Sequence, residues 1–118
     1  MNAIAEAYRH NQVNTASQGQ LVLMLYDGGK RFITRAIMAL EKHNLEEANT
    51  CLQRAQEIMD QLILGLNYEA GDMAHQLYLL YDYLQRLLVE ANLKKDIQPA
   101  REALNLLGEL RETWAKIL

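Results

Sequence analysis

Three histidines, one cysteine and fifteen carboxylates are the side chains of this 118-residue sequence with reach for metal binding, nucleophilic attack or proton transfer. His10, His43 and His75 fall in an N-terminal arm, at the end of one predicted helix and at the start of another, and no spacing brings them together. A di-iron helical bundle needs Glu-x-x-His pairs pointing inward from two helices. The sequence offers only Asp72-x-x-His75, which reads as a cap beside a surface histidine. A histidine phosphotransfer domain is the alternative of the same size. It needs an exposed mid-helix histidine with a lysine and a small residue nearby, and Met73-Ala74-His75-Gln76-Leu77-Tyr78 does not provide that setting. No phosphate loop, dinucleotide fingerprint or haem-attachment motif occurs. Cys51 is in line with Ala48, Ala55 and Leu62, the place of a small buried hydrophobe rather than a reactive thiol. These residues predict no catalytic centre, no metal and no cofactor.

The elements around them are helical. Leu, Ala, Glu and Gln abound, β-branched residues are few, and the chain has one Pro and six Gly. The length suits one domain with a sound core. A net charge of −3, with the twelve Lys and Arg scattered, gives no electrostatic case for nucleic acid or an anionic membrane. The longest apolar run, Leu21 to Tyr26, is far short of the roughly 20 residues that span a bilayer. No basic-then-apolar leader opens the sequence, and a lone cysteine suits a reducing compartment, so a cytosolic protein is expected.

Four helices are predicted, over about residues 17–42, 45–66, 72–93 and 97–117. Ser17 and Gln20 have capping-box spacing. Asn44 with Glu47, Asp72 and Asp96 offer later caps, and Pro99 is tolerated in a first turn. Short turns make sequential helices antiparallel neighbours, an up-down four-helix bundle preceded by an arm over residues 1–16. Leu25, Gly29 and Phe32 form the predicted inward stripe of the first helix. Met73, Leu77, Leu80, Leu84, Leu87 and Ala91 form that of the third. Gly28 and Gly29 cost helix stability and are read as close-packing positions. A shift of 55 residues superposes Leu25-Tyr26-Asp27 on Leu80-Tyr81-Asp82, Arg31 on Arg86 and Ala36 on Ala91. Parallel first and third helices would fit a duplicated hairpin, although the second and fourth do not show the echo.

Apolar surface exceeds what one inward face per helix requires. Val22, Tyr26 and Ile33 form a second stripe on the first helix, with the least cover from the rest of the chain. Tyr78, Tyr81 and Leu88 form one on the third, and the second helix has a wide face that includes Ile58, Leu62 and Leu66. Turned outward, these lines make a groove for a helical or extended partner. Turned inward, they are core with tyrosine hydroxyls reaching water. A third arrangement joins the tyrosine face to a second copy as a self-dimerising scaffold.

Several blocks resemble a known family. Gln12-Val13-Asn14-Thr15-Ala16-Ser17, Gln20-Leu21-Val22-Leu23-Met24-Leu25-Tyr26-Asp27-Gly28, Ala55-Gln56-Glu57-Ile58, Leu79-Leu80-Tyr81-Asp82-Tyr83-Leu84, Glu90-Ala91-Asn92 and Glu109-Leu110-Arg111-Glu112-Thr113-Trp114 resemble, in order, the flagellar secretion chaperone FliS. Gln18 departs from the proline common there, which leaves more of the capping to Ser17. The resemblance implies a cytoplasmic chaperone without ATPase or cofactor. It implies binding of the disordered C-terminal region of flagellin, prevention of premature polymerisation, and delivery to the export gate of the flagellar secretion apparatus. It leaves room for other flagellar regulators and for a homodimer without client. It also implies an arm that lies over part of the client groove, a role carried here to Tyr8 and Val13. The client-binding residues expected are Val22, Tyr26, Ile33, Ile58, Leu62, Leu66, Tyr78, Tyr81 and Leu88.

Overall fold

Two asparagine-type caps set the hairpins of this chain. The Asn44 side chain accepts from the Glu47 N–H at 3.2 Å, and the Asp96 side chain accepts from the Gln98 N–H at 3.0 Å. Each cap follows a non-glycine residue in the left-handed region, His43 at φ 59° and Lys95 at φ 50°, which turns the chain sharply out of the preceding helix.

The computed structural model describes residues 15–117, and there the chain forms α1 (Thr15–Glu41), α2 (Leu45–Leu64), a short 3-10 turn (Tyr68–Ala70), α3 (Asp72–Lys94) and α4 (Ile97–Ile117). Each helix packs on its sequence neighbour, and α4 closes the ring against α1. The fold is the all-α bundle expected. Of the predicted arm, all but Thr15 and Ala16 lies outside the described residues, Tyr8 and Val13 included, and those two already belong to α1.

Some local expectations change. Ser17 lies inside α1 rather than ahead of it. Asp72 does not cap α3: Gly71, at φ 103°, holds that position with no side-chain cap, and Asp72 is the first helical residue. α2 stops at Leu64, and Asn67 caps the 3-10 turn instead by accepting from the Glu69 N–H at 3.1 Å.

The core runs along the bundle axis. Tyr26, Ile33, Ala36, Leu52, Met59, Leu84, Leu88, Ala91, Ala103 and Leu107 are all almost inaccessible. Gly28 and Gly29 have the packing role expected of them. A Cβ on Gly29 would stand 2.8 Å from Leu107 Cδ2 of α4, and one on Gly28 would stand 3.2 Å from Ile58 Cδ1 of α2. Side chains there would push both neighbours away from α1. Polar links cross the seams: Arg111 Nε donates to Asp27 at 3.0 Å, Trp114 Nε1 to the Gly19 carbonyl at 3.0 Å, and Asn92 to Asn49 at 2.8 Å.

Candidate functional site

The nine residues expected to meet a partner divide in the structure. Tyr26 and Tyr81 meet in the core, hydroxyl to hydroxyl at 2.6 Å, with rings edge-on at 6.4 Å. Ile33, Leu62 and Leu88 are buried with them. The expectation that Val22, Tyr26 and Ile33 form the least-covered side of α1 is therefore corrected, since Tyr26 and Ile33 are at its centre. Val22, Ile58 and Leu66 are half-buried at the edge of the core, and Tyr78 alone of the nine is exposed. The line Tyr78, Tyr81, Leu88 does not face outward as a unit.

A hydrogen-bonded partner is what lets two tyrosines go inside. Each hydroxyl satisfies the other, so burial leaves no oxygen orphaned. Burial also raises the pKa of Tyr26 and of Tyr81 above the ordinary phenol value of 10.0, so both stay protonated.

The α3 seam rotates accordingly. The buried side is Ala74, Tyr81, Leu84, Leu87, Leu88 and Ala91. Leu84, Leu87 and Ala91 of the expected seam are inside and Leu77 is half-buried, but Met73 at 63% and Leu80 at 37% exposure are not. The surplus apolar surface is real, and it sits on the other phase. Met73, Tyr78, Leu79, Leu80, Tyr83, Val89 and Leu93 are all exposed on α3, whereas α1 and α2 expose two large apolar residues each and α4 one among the described residues. Isolated exposed apolar residues are ordinary, but a single helix carrying seven is not. Sequence reasoning missed most of these because Leu79 and Tyr83 fell on neither stripe. The signal was present in the unbroken apolar run Leu77 to Tyr81, which no single inward face could absorb.

Two features flank this helix face. At the corner where α2 passes to α3, Tyr68 lies against His75, with ring centroids 5.2 Å apart, and edge-on to Tyr78 at 6.4 Å. His75 is thus part of an exposed aromatic cluster in a first turn. On the other side of α3, the Tyr83 hydroxyl donates to Glu102 of α4, a bond that raises its pKa above the usual phenol value.

A second apolar site lies between α1 and α2. It is an open trough of about 670 Å³ whose floor is Leu25, Gly28, Phe32 and Ile58 and whose rim includes Met24, Arg31, Arg54 and Glu57. An apolar floor with a charged rim is the form of a groove that seats an amphipathic segment. Elsewhere the chemistry is quiet. The Cys51 thiol is buried and donates to Glu47 at 3.4 Å, and burial with that carboxylate pushes its pKa up, away from the reactive thiolate. Among the described residues, no three His, Cys, Asp or Glu side chains converge as a metal site, and no helix is long and apolar enough to cross a membrane.

Comparison with known proteins is decisive for the family. The family profile described as "Flagellar protein FliS" matches residues 1–118. The chain belongs to the FliS family. It is 37% identical over 112 residues to the flagellar secretion chaperone FliS of Bacillus subtilis, covering 95% of this chain and 84% of that protein. With the FliS of Salmonella typhimurium it shares 36% identity over 119 residues, 99% of this chain and 88% of that one. With the FliS of Campylobacter jejuni it shares 34% over 117 residues, 98% and 91% of the two chains. Membership in FliS gives the chain the class of a flagellar export chaperone, and the family is one of chaperones rather than enzymes.

Proposed function

We propose that this chain holds the C-terminal segment of flagellin in the bacterial cytosol, keeps it from polymerising, and presents it to the flagellar export apparatus. The observation that carries this reading is the disproportion on α3: a complete buried core, and seven large apolar side chains left outside on one helix. A disordered client that folds on binding buries on the order of 1,000–3,000 Å². A surface that continues from α3 across the Tyr68 corner, with a further trough between α1 and α2, has the extent for such wrapping. Ile58 lines the trough and Tyr78 lies on the α3 face, while Val22 and Leu66 are half-buried at the edge of the core. Tyr26, Ile33, Leu62, Tyr81 and Leu88 support these surfaces from below.

Titration of a flagellin C-terminal peptide into point variants tests the assignment. Leu79→Ala and Leu80→Ala should each weaken binding roughly tenfold, since a buried leucine side chain is worth about 1.5–3 kcal/mol. Their melting temperatures should stay close to that of the wild type. Leu88→Ala should instead lower stability by about 2–5 kcal/mol. If Leu79→Ala and Leu80→Ala bind as the wild type does, α3 is not the client surface.

Resemblance to the family assigns Tyr8 and Val13 to a cap over part of the client surface. On that proposal, removal of residues 1–13 speeds or tightens client binding, because nothing then has to be displaced. Stopped-flow and calorimetry that return the wild-type on-rate and affinity would remove the cap from the scheme.

A further inference from the structure

The Tyr26 and Tyr81 hydroxyls meet at 2.6 Å between positions 55 apart, the same offset at which Leu25-Tyr26-Asp27 recurs as Leu80-Tyr81-Asp82. A residue touches its own symmetry mate only where both lie on a twofold axis, as at the centre of an isologous dimer. The offset holds well beyond this pair. Ile33 and Leu88 are 1% and 0% exposed, and Ala36 and Ala91 are both at 0%. Outside, Met24 and Leu79 match at 56% and 65%. The echo that the sequence of α2 and α4 conceals is present in their burial at an offset of 52, that of the helix starts Leu45 and Ile97: Ala48 and Ala100, then Ala55 and Leu107, all at 0–1%. The hairpin turns repeat the same device, a left-handed non-glycine residue followed by an Asx cap: His43-Asn44 in one and Lys95-Asp96 in the other. The second turn arrives three residues early, which sets the offset of 52 beyond it, and the match fades near the hairpin ends, where Leu62 is buried and Trp114 is only half-buried.

We infer that this chain is one helical hairpin present twice, α1 with α2 and α3 with α4, fused in tandem about a twofold axis on which the Tyr26–Tyr81 bond fixes the register of the halves. Sliding either hairpin by one helical turn would separate the hydroxyls and leave both unpaired in an apolar core, which costs more than the bond itself gains. A buried polar contact used to select one register is well attested in helical assemblies. The halves differ most where Gly29 corresponds to Leu84. At Gly29, α4 comes close enough for Leu107 Cδ2 to lie 2.8 Å from a Cβ built there, whereas Leu84 keeps a full side chain between α3 and its neighbours. Leu80 is then 37% exposed where its counterpart Leu25 is 7%.

Thermal melts of full-length variants test the inference. Tyr26→Phe and Tyr81→Phe should lower the melting temperature by equal amounts, within about 2 °C. The double variant should melt no lower than either single one, because it removes both halves of one bond. Ile33→Leu combined with Leu88→Ile exchanges corresponding positions and should cost at most half the shift caused by Ile33→Leu with Leu107→Ile, which exchanges unrelated ones. All of these variants nearly conserve core volume, so folding is retained. Additive tyrosine effects, or single shifts that differ by more than twofold, would overturn the axial pair. A matched exchange as costly as the mismatched one would overturn the duplication.

Discussion

Gly28 and Gly29 share a sequence setting and differ in what they face. Placing alanine in a helix gains about 1 kcal/mol over glycine. At Gly29 the new methyl meets the buried Leu107 at 2.8 Å, and overpacking costs about 1–3 kcal/mol. At Gly28 the contact is 3.2 Å to the tip of Ile58, a half-buried side chain at the α1/α2 trough that has room to turn. Gly29→Ala should therefore lower the melting temperature by a few degrees, while Gly28→Ala leaves it unchanged or raises it. Calorimetry of the two variants checks this, and equal shifts would show that Leu107 and Ile58 yield alike. The tyrosine pair makes a separate prediction. Its folded-state pKa values lie above the ordinary value of 10.0, mainly through burial. The unfolded chain thus releases these protons first as pH rises, so the stabilisation is whole below about pH 10 and declines above it. Between about pH 9.5 and 11.5 the wild type should lose stability faster than the Tyr26→Phe, Tyr81→Phe double variant, because only the wild type has those two protons to lose. Parallel melting profiles would mean that the pair is not shielded from solvent.

At the scale of the element, α3 shows what sequence periodicity decides and what it leaves undecided. The helix itself was legible, as were its lysine-rich end and its four-residue recurrence of leucine. Its rotation was legible in the second half, where Leu84, Leu87 and Ala91 are inside as expected, and not in the first. Leu77 through Tyr81 is apolar at every position, so two phases of the 3-4 spacing fit equally well, and only the tertiary partner selects one. Tyr26 makes that selection by giving the Tyr81 hydroxyl a place inside. Reading tyrosine as an interface residue placed Tyr81 and Leu88 outside, and this turned the expected client face about the helix axis. Tyr78, whose hydroxyl has no such partner inside, was placed correctly. α1 misled in the same direction, because Val22, Tyr26 and Ile33 form one line while only a residue from α3, remote in sequence, shows that it points inward. The glycines were legible because their energetic cost in a helix requires a compensating contact. Asp72 was misread as a cap because the sequence does not show that Gly71, at φ 103°, takes the turn.

For the whole molecule, the fold followed from one strong regularity: amphipathic helices joined by turns too short for any arrangement but antiparallel neighbours. The same shared core implies how the chain comes apart. Sixteen of the core residues, from Leu25 to Ala103, together with Leu107, belong to one contiguous cluster drawn from all four helices, so no helix can leave without exposing the others. Urea unfolding should thus be one cooperative transition. Trp114 is a suitable local probe, since its indole bonds α4 to the Gly19 carbonyl of α1, while far-UV circular dichroism follows all four helices. The two transitions should share one midpoint. A fluorescence midpoint well below that of the dichroism would show α4 detaching first. Among the described residues, the one region with separate cohesion is the small cluster of Ala39, Leu40 and Ala48, packed against Ile97 at the hairpin turns. With little core of its own, it should open locally, and amides near His43 and Asn44 should exchange faster than those flanking Tyr26 and Tyr81. Uniform protection along α1 would mean that the turns are held as firmly as the tyrosine axis, and that the bundle has no weak end.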